Sequence, residues 1–210
     1  MKILKKIMIC NLILLLIGLR FIPYIIFASD TTTSQTSTDI TVESARAQIA
    51  NWAISFVNGS EGAKCVYSGI NSDRKNTYQS NDPQESYKFD CVGWVSYAIN
   101  RSIGLNYEEA YNGTGGFVTP QSGIKDTSHF GAVSITEIQP GDILIAPSAP
   151  HVGIYIGNNQ IIDMGAYKGQ DLAIRAITSN YAIIGWSECV FTSAARLISV
   201  DGVNFSPIEG

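Results

Sequence analysis

The chain has 210 residues, enough for one domain with a proper core plus extensions. Its net charge is −4, and its Lys and Arg residues are scattered outside the N-terminus. Without a basic patch, nucleic acid is not an expected partner.

Met1-Lys2-Ile3-Leu4-Lys5-Lys6 is positively charged, and Ile7 to Leu19 is nearly all apolar. After Arg20 the apolar character resumes from Phe21 to Phe27 and leads to Ala28-Ser29-Asp30. This pattern predicts a secretory signal over residues 1–28, cleaved near Ala28. An uncleaved membrane anchor is the alternative, because the segment beyond Arg20 makes the apolar stretch long enough to span. Cys10 lacks the small residues before it that lipid attachment needs and counts as part of the signal. Either way the remainder is expected outside the cytoplasm, secreted or at the cell surface. Residues 29–40, rich in Ser and Thr, have nothing to bury and read as a flexible linker. The domain is expected over residues 41–202, with a tail at 203–210.

Thr41 is placed to cap a helix from Val42 to Val57, with Glu43 in its first turn. Ile49, Trp52, Ala53 and Phe56 would face inward, and Asn58-Gly59 would end it. Residues 70–88 form a polar stretch rich in Asn and Ser. It reads as a solvated insertion, or alternatively as the rim of a substrate groove.

Next comes Phe89-Asp90-Cys91-Val92-Gly93-Trp94-Val95-Ser96-Tyr97-Ala98. Trp94 and Ala98 are four apart, as are Val95 and Ile99, so they predict a helix with one buried stripe. Asp90 is a natural N-cap, and Cys91 would then lie in the first turn, where the positive end of the helix favours thiolate over thiol. A buried structural cysteine at a helix start fits this segment equally well.

The helix fades between Asn100 and Gly104, and a second long loop follows. Its Gly-rich Asn112-Gly113-Thr114-Gly115-Gly116 has no following Lys-Ser/Thr and no preceding strand, which argues against phosphate binding. His129 reads as a loop residue. Gln139-Pro140-Gly141-Asp142 is a turn leading into a strand, Ile143 to Ala146. His151-Val152-Gly153-Ile154-Tyr155-Ile156-Gly157-Asn158-Asn159-Gln160-Ile161-Ile162-Asp163 reads as a hairpin. Further strands are predicted near Leu172 to Ile177, Ile183 to Trp186 and Ala195 to Ser199.

An Asp-Cys-x-Gly helix start, then Pro-Gly-Asp, His-Val-Gly-Ile-Tyr-Ile-Gly and an Ile-Ile-polar strand, resembles the NlpC family of papain-like cell-wall cysteine peptidases. The resemblance covers roughly residues 45 to 200. It implies an α+β papain-like fold. N-terminal helices, one carrying the nucleophile at its own N-terminus, would pack on an antiparallel sheet of about five to six strands. It implies peptidoglycan stem peptides as substrate, most readily cut between γ-linked D-Glu and a diamino acid, with no metal or cofactor.

Hydrolysis by cysteine needs a thiolate, a base that takes and returns a proton, and a group that fixes the base. Cys91 is the candidate nucleophile. With two histidines in the chain, His151, which opens a strand after a turn, is the candidate base. Asp163 lies where the family places its third polar residue, and its carboxylate would orient the imidazole and stabilise the imidazolium.

Strand register tests this assignment independently, because side chains alternate faces. A two-residue loop at Asn158-Asn159 with regular pairing sets Ile154 opposite Asp163 and turns His151 to the other face. A loop of three, Gly157-Asn158-Asn159, sets Gly153 opposite Asp163 and leaves His151 a diagonal neighbour roughly 7–8 Å away at the backbone, so the catalytic assignment requires an odd loop or a bulge.

Gly62-Ala63-Lys64-Cys65-Val66-Tyr67-Ser68-Gly69 falls where the family carries Gly-x-Pro-Tyr-x-Trp-Gly-Gly beside the cleft. Cys65 takes the place of the tyrosine and Tyr67 that of the tryptophan. The oxyanion would be held by the Cys91 amide, with Tyr67 a candidate for the second donor. The family's Asp and Ser before and after the cysteine hold the free amine of a short stem peptide. Asp90 is kept for that role, whereas Val92 replaces the Ser. Cys65, Cys91 and Cys189 would remain after export. A Cys65–Cys189 disulfide and three unpaired thiols are both open, the unpaired state being expected.

Other readings stay in view. An N-acetylmuramoyl-L-alanine amidase or a cross-bridge endopeptidase of related fold would use the same Cys and His. A non-catalytic wall-binding module would be marked by a lost Cys or His, and neither is lost. Serine hydrolase chemistry lacks its Gly-x-Ser-x-Gly, and two isolated histidines argue against a zinc peptidase.

Overall fold

Thr41 caps helix α1, Val42–Asn58, as anticipated: its hydroxyl accepts the Ser44 amide at 3.1 Å. The computed structural model describes residues 40–67, 87–105, 116–165, 171–179, 181–182 and 189–203. The expected signal or anchor, nearly all of the linker, residues 70–86, the Asn112–Gly115 stretch, the Ile183–Trp186 strand and the tail beyond Val203 lie outside these residues. Among the described residues no helix is long and apolar enough to cross a membrane.

After α1 come short strands β1, Cys65–Tyr67, and β2, Tyr87–Phe89, which pair in parallel with Tyr67 opposite Phe89. Tyr87 and Lys88, expected in the polar loop, instead begin β2. Lys88 sits on a small two-stranded sheet with its side chain exposed, so its polarity gave no strand signal. Helix α2, Cys91–Ile103, follows and ends at Gly104, whose φ of 68° makes the left-handed stop that glycine permits.

Strands β3, Val118–Thr119, and β4, Gly123–Ile124, form a small antiparallel pair. The main sheet comprises β5, Phe130–Val133; β6, Ile143–Ala146; β7, His151–Gly157; β8, Gln160–Met164; β9, Leu172–Ala176; and β10, Ser193–Leu197. Its order is β5-β10-β6-β7-β8-β9, antiparallel throughout. The fold is therefore the expected α+β arrangement of helices on a six-stranded antiparallel sheet.

Two boundaries differ from expectation. β5 falls in what was read as loop; Phe130 is its one fully buried residue, and its pairing comes from β10, far along the chain. β10 begins two residues before Ala195 and stops at Leu197. Ala194 and Ala195 are both buried, one on each face of the sheet, while Ile198 is exposed.

One face of the sheet, with Ile143, Ile145, Val152, Ile154, Ile162 and Met164, packs against the helices. Trp94 of α2 meets Trp52 and Phe56 of α1 at ring distances of 6.0 and 5.3 Å. Leu144, Ala146, Tyr155 and Ile161 form a second apolar cluster with Cys189 and Phe191.

The Pro-Gly-Asp turn fastens the two layers. Asp142, fully buried, accepts Arg196 Nη2 at 2.6 Å and the Gln139 amide at 2.7 Å through Oδ2, and Arg196 Nε at 2.9 Å through Oδ1. That Asp is committed to structure. Gly141 has φ +91°, and a Cβ there would meet the Arg46 carbonyl oxygen of α1 at 2.3 Å. Gly141→Ala should therefore destabilise the domain by about 2 kcal/mol. Thermal unfolding of the variant checks this, and an unchanged Tm would contradict it.

Candidate active site

Three elements supply the site. Asp90 caps α2 with Oδ1 accepting the Gly93 amide at 2.7 Å, which fixes Cys91 as the first helical residue. His151 opens β7, directly after the turn that leaves β6. Asp163 is the fourth residue of β8.

The hairpin that joins the last two resolves the register question. Asn158 and Asn159 form a two-residue turn with φ of 52° and 53°, as a type I′ turn needs. By itself that turn would send His151 and Asp163 to opposite faces. A bulge at Ile156 intervenes: pairing runs Gly157 with Gln160, then shifts, so that Tyr155 faces Ile161 and Gly153 faces Asp163. His151 and Asp163 consequently share a face. Gly153 lies between them, and its missing side chain has a use. A Cβ there would stand 3.0 Å from the Asp163 Cβ and 2.6 Å from Ile161 Cδ1. Only glycine leaves Asp163 free to lean across to the histidine.

The resulting geometry is closed and dry. His151 Nε2 lies 2.6 Å from Asp163 Oδ2, and each residue is 1% exposed. Cys91 lies within reach of the His151 imidazole and of backbone groups of Val152 and Val92, all of which favour its ionised form. Cys91 is 8% exposed, more than either His151 or Asp163.

Burial opposes ionisation of the Cys91 thiol, but the hydrogen bond and positive charge of His151, aided by the two amides, outweigh it and hold the pKa below the ordinary thiol value. Burial likewise disfavours the imidazolium, yet the hydrogen bonds and negative charges of Asp163 and Cys91 raise the His151 pKa. The two shifts favour a thiolate–imidazolium pair.

Asp163 has a second partner that sequence reasoning missed. Arg175 of β9 donates from Nε to Oδ1 at 2.6 Å. The strand around Arg175 was expected, but its role depends on a diagonal register in which Asp163 faces Ala173, two residues away from the arginine. A charged residue on a half-buried strand was the one available signal. Arg175 Nη2 also reaches the carbonyl oxygens of Gly165 and Asp171 at 3.3 and 3.4 Å.

The remaining candidates are placed as follows. Tyr67 ends β1 opposite Phe89, two residues before Cys91, and its amide donates to Asp171 Oδ2 at 2.7 Å. Asp90 is partly exposed, with one oxygen engaged as the cap. Cys65, Cys91 and Cys189 are all free thiols. Cys65 Sγ donates to the Glu61 carbonyl and Cys189 Sγ to the Ala149 carbonyl, at 3.7 and 3.6 Å. His129 sits apart, between Asp126 and the Asp201 carbonyl.

Comparison with known proteins bears on these observations. No curated protein matches the chain. Among solved structures, one described as the structure of NlpC2 from Trichomonas vaginalis is similar at 22% identity and a TM-score of 0.40. That match covers 74% of this chain and 47% of the other, so this chain spans about half its length. The sequence profile of the NlpC/P60 family matches residues 69–188, more than half of the chain and inclusive of Cys91, His151 and Asp163. The chain belongs to the NlpC/P60 family, which is generally one of cysteine peptidases acting on the cell wall.

Proposed function

We propose that the chain is an exported peptidase that cuts peptidoglycan stem peptides, with Cys91 as nucleophile, His151 as base and Asp163 as the group that orients it. The observation that carries this reading is the buried His151–Asp163 hydrogen bond at 2.6 Å, with Cys91 beside the same imidazole and its thiol favoured toward ionisation by it. The thiolate attacks the scissile carbonyl, and the Cys91 amide, one of the first-turn donors a helix leaves without an internal acceptor, faces the developing oxyanion. Tyr67 is the proposed second donor. The imidazolium gives its proton to the leaving amine, which leaves a thioester. His151 then takes a proton from water as the water attacks, and the carboxylate product departs.

The proposed bond is that between γ-linked D-Glu and the diamino acid, with Asp90 near the amine end of the stem peptide. Val92, where the family has Ser, removes one polar contact there, so that preference rests on Asp90. The reading places the protein outside the cytoplasm at the cell wall, delivered by residues 1–28 and either released or held at the membrane by them.

Mass spectrometry of muropeptides treated with the full chain tests the proposal. Wild type should release fragments cut within the stem peptide. Cys91→Ala and His151→Ala should fall by about four orders of magnitude or more, and Asp163→Ala by a smaller, still measurable factor. Equal product patterns from wild type and Cys91→Ala would remove the enzyme reading. Intact stem peptides freed from sugar would reassign it as an amidase, and loss of cross-links alone as a cross-bridge endopeptidase.

The rate should follow a bell in pH. It rises as the Cys91 thiol ionises below the ordinary thiol range, and it falls as the pH passes through about 9, where the His151 imidazolium gives up its proton. Buffered kcat/KM measurements check this; a descending limb centred near the ordinary histidine value of about 6.5 would contradict it.

A further inference from the structure

Asp163 divides its two oxygens between two cations, Oδ2 to His151 Nε2 and Oδ1 to Arg175 Nε, each at 2.6 Å. Arg175 is itself largely buried, with its side chain 9% exposed. Its Nη2 is held by the Gly165 and Asp171 carbonyls, and the Gly165 amide donates to that same Asp171 carbonyl at 2.8 Å. The guanidinium is thus fixed at three points and cannot swing away from the carboxylate.

The charges in this enclosure have a simple sum. A Cys91 thiolate, a His151 imidazolium and an Asp163 carboxylate carry a net charge of −1 in a place that water barely reaches. An uncompensated buried charge is costly and is relieved by taking up a proton. Arg175 brings the sum to zero. Building on the cysteine peptidase reading above, we propose that Arg175 is a positioning residue of this centre. It locks the Asp163 carboxylate toward His151 and supplies the charge that lets thiolate, imidazolium and carboxylate coexist.

Among the described residues, the other titratable groups around the centre do not take this part. Asp90, at the cap of α2, is negative when ionised, and Asp171 turns its carboxylate to the Tyr67 amide. Cys189, packed beside Phe191, is pushed up to about 12 by burial and by the negative charges of Asp163 and Cys91, so it stays a thiol. Cys65 is likewise pushed up to about 12 by burial, with Glu61 and Asp171 adding to it.

The sign of the effect follows. Removing a positive charge makes every proton in the group harder to lose, so thiolate formation and imidazolium deprotonation both move to higher pH. Loosened packing does something different, returning each group toward its ordinary value: the thiol goes up and the imidazole goes down.

The test is the pH dependence of Cys91 alkylation by iodoacetamide in the full chain, followed by mass spectrometry of the Cys91 peptide. It needs no peptidoglycan. Two inflections are expected in wild type, the lower at formation of the ion pair and the upper at loss of the imidazolium proton. Arg175→Gln should move both upward by about one unit, the size expected for loss of one neighbouring charge at intermediate dielectric. Arg175→Lys, which keeps the charge and loses the fork, should leave both within a few tenths of wild type while lowering kcat on muropeptides with KM unchanged.

Unmoved inflections in a folded Arg175→Gln, or inflections that shift in opposite directions, would overturn the proposal. If the glutamine variant does not fold, the lysine variant decides, and inflections displaced as far as one unit there would overturn it equally. Failure of the peptidase reading is a separate result, since it shows as muropeptide cleavage by Cys91→Ala and not in the alkylation profile.

Discussion

An imidazole and a carboxylate on neighbouring strands can meet only if they lie on the same face, and here one extra residue decides it. Ile156 bulges out of the β7–β8 ladder, and the pairing beyond it is displaced by one. Without that displacement the sequence His151 to Asp163 would still fold into a hairpin, but the two polar side chains would sit on opposite sides of the sheet. The bulge, the Asn158-Asn159 turn and the bare Cα of Gly153 together form the seat of the site. The helix that brings Cys91 is positioned independently, through aromatic packing against α1 and an acidic cap.

Much of this was legible in the residues. Thr41 and Asp90 marked helix starts through capping chemistry that is local, and local chemistry can be read from a short window. The His151-to-Asp163 spacing gave two registers and identified the one compatible with a shared face. The odd member turned out to lie within the strand rather than in the turn. Nothing in the one-dimensional pattern separates those cases, because Gly157-Asn158-Asn159 suits a loop of either length.

What escaped notice depended on partners distant in the chain. β5 owes its existence to β10, and its Gly131 and Ala132 carry little strand preference of their own. Arg175 lay in an anticipated strand, yet its meeting with Asp163 depends on how far the chain travels between β8 and β9 before it returns. The Asp of Pro-Gly-Asp shows the converse. A motif that helped identify the family proves to be a buried clamp on Arg196 that secures a turn against a helix and a strand.

Asp171 has one more implication. Its carboxylate takes the amide of Tyr67 and its carbonyl takes Arg175, so one residue anchors the end of β1 and the arginine that holds Asp163 at once. The two cannot drift independently. Any displacement of β1 is therefore carried, through that one residue, to Arg175 and to the carboxylate it holds. The small parallel pair and the far edge of the main sheet are in this way mechanically joined.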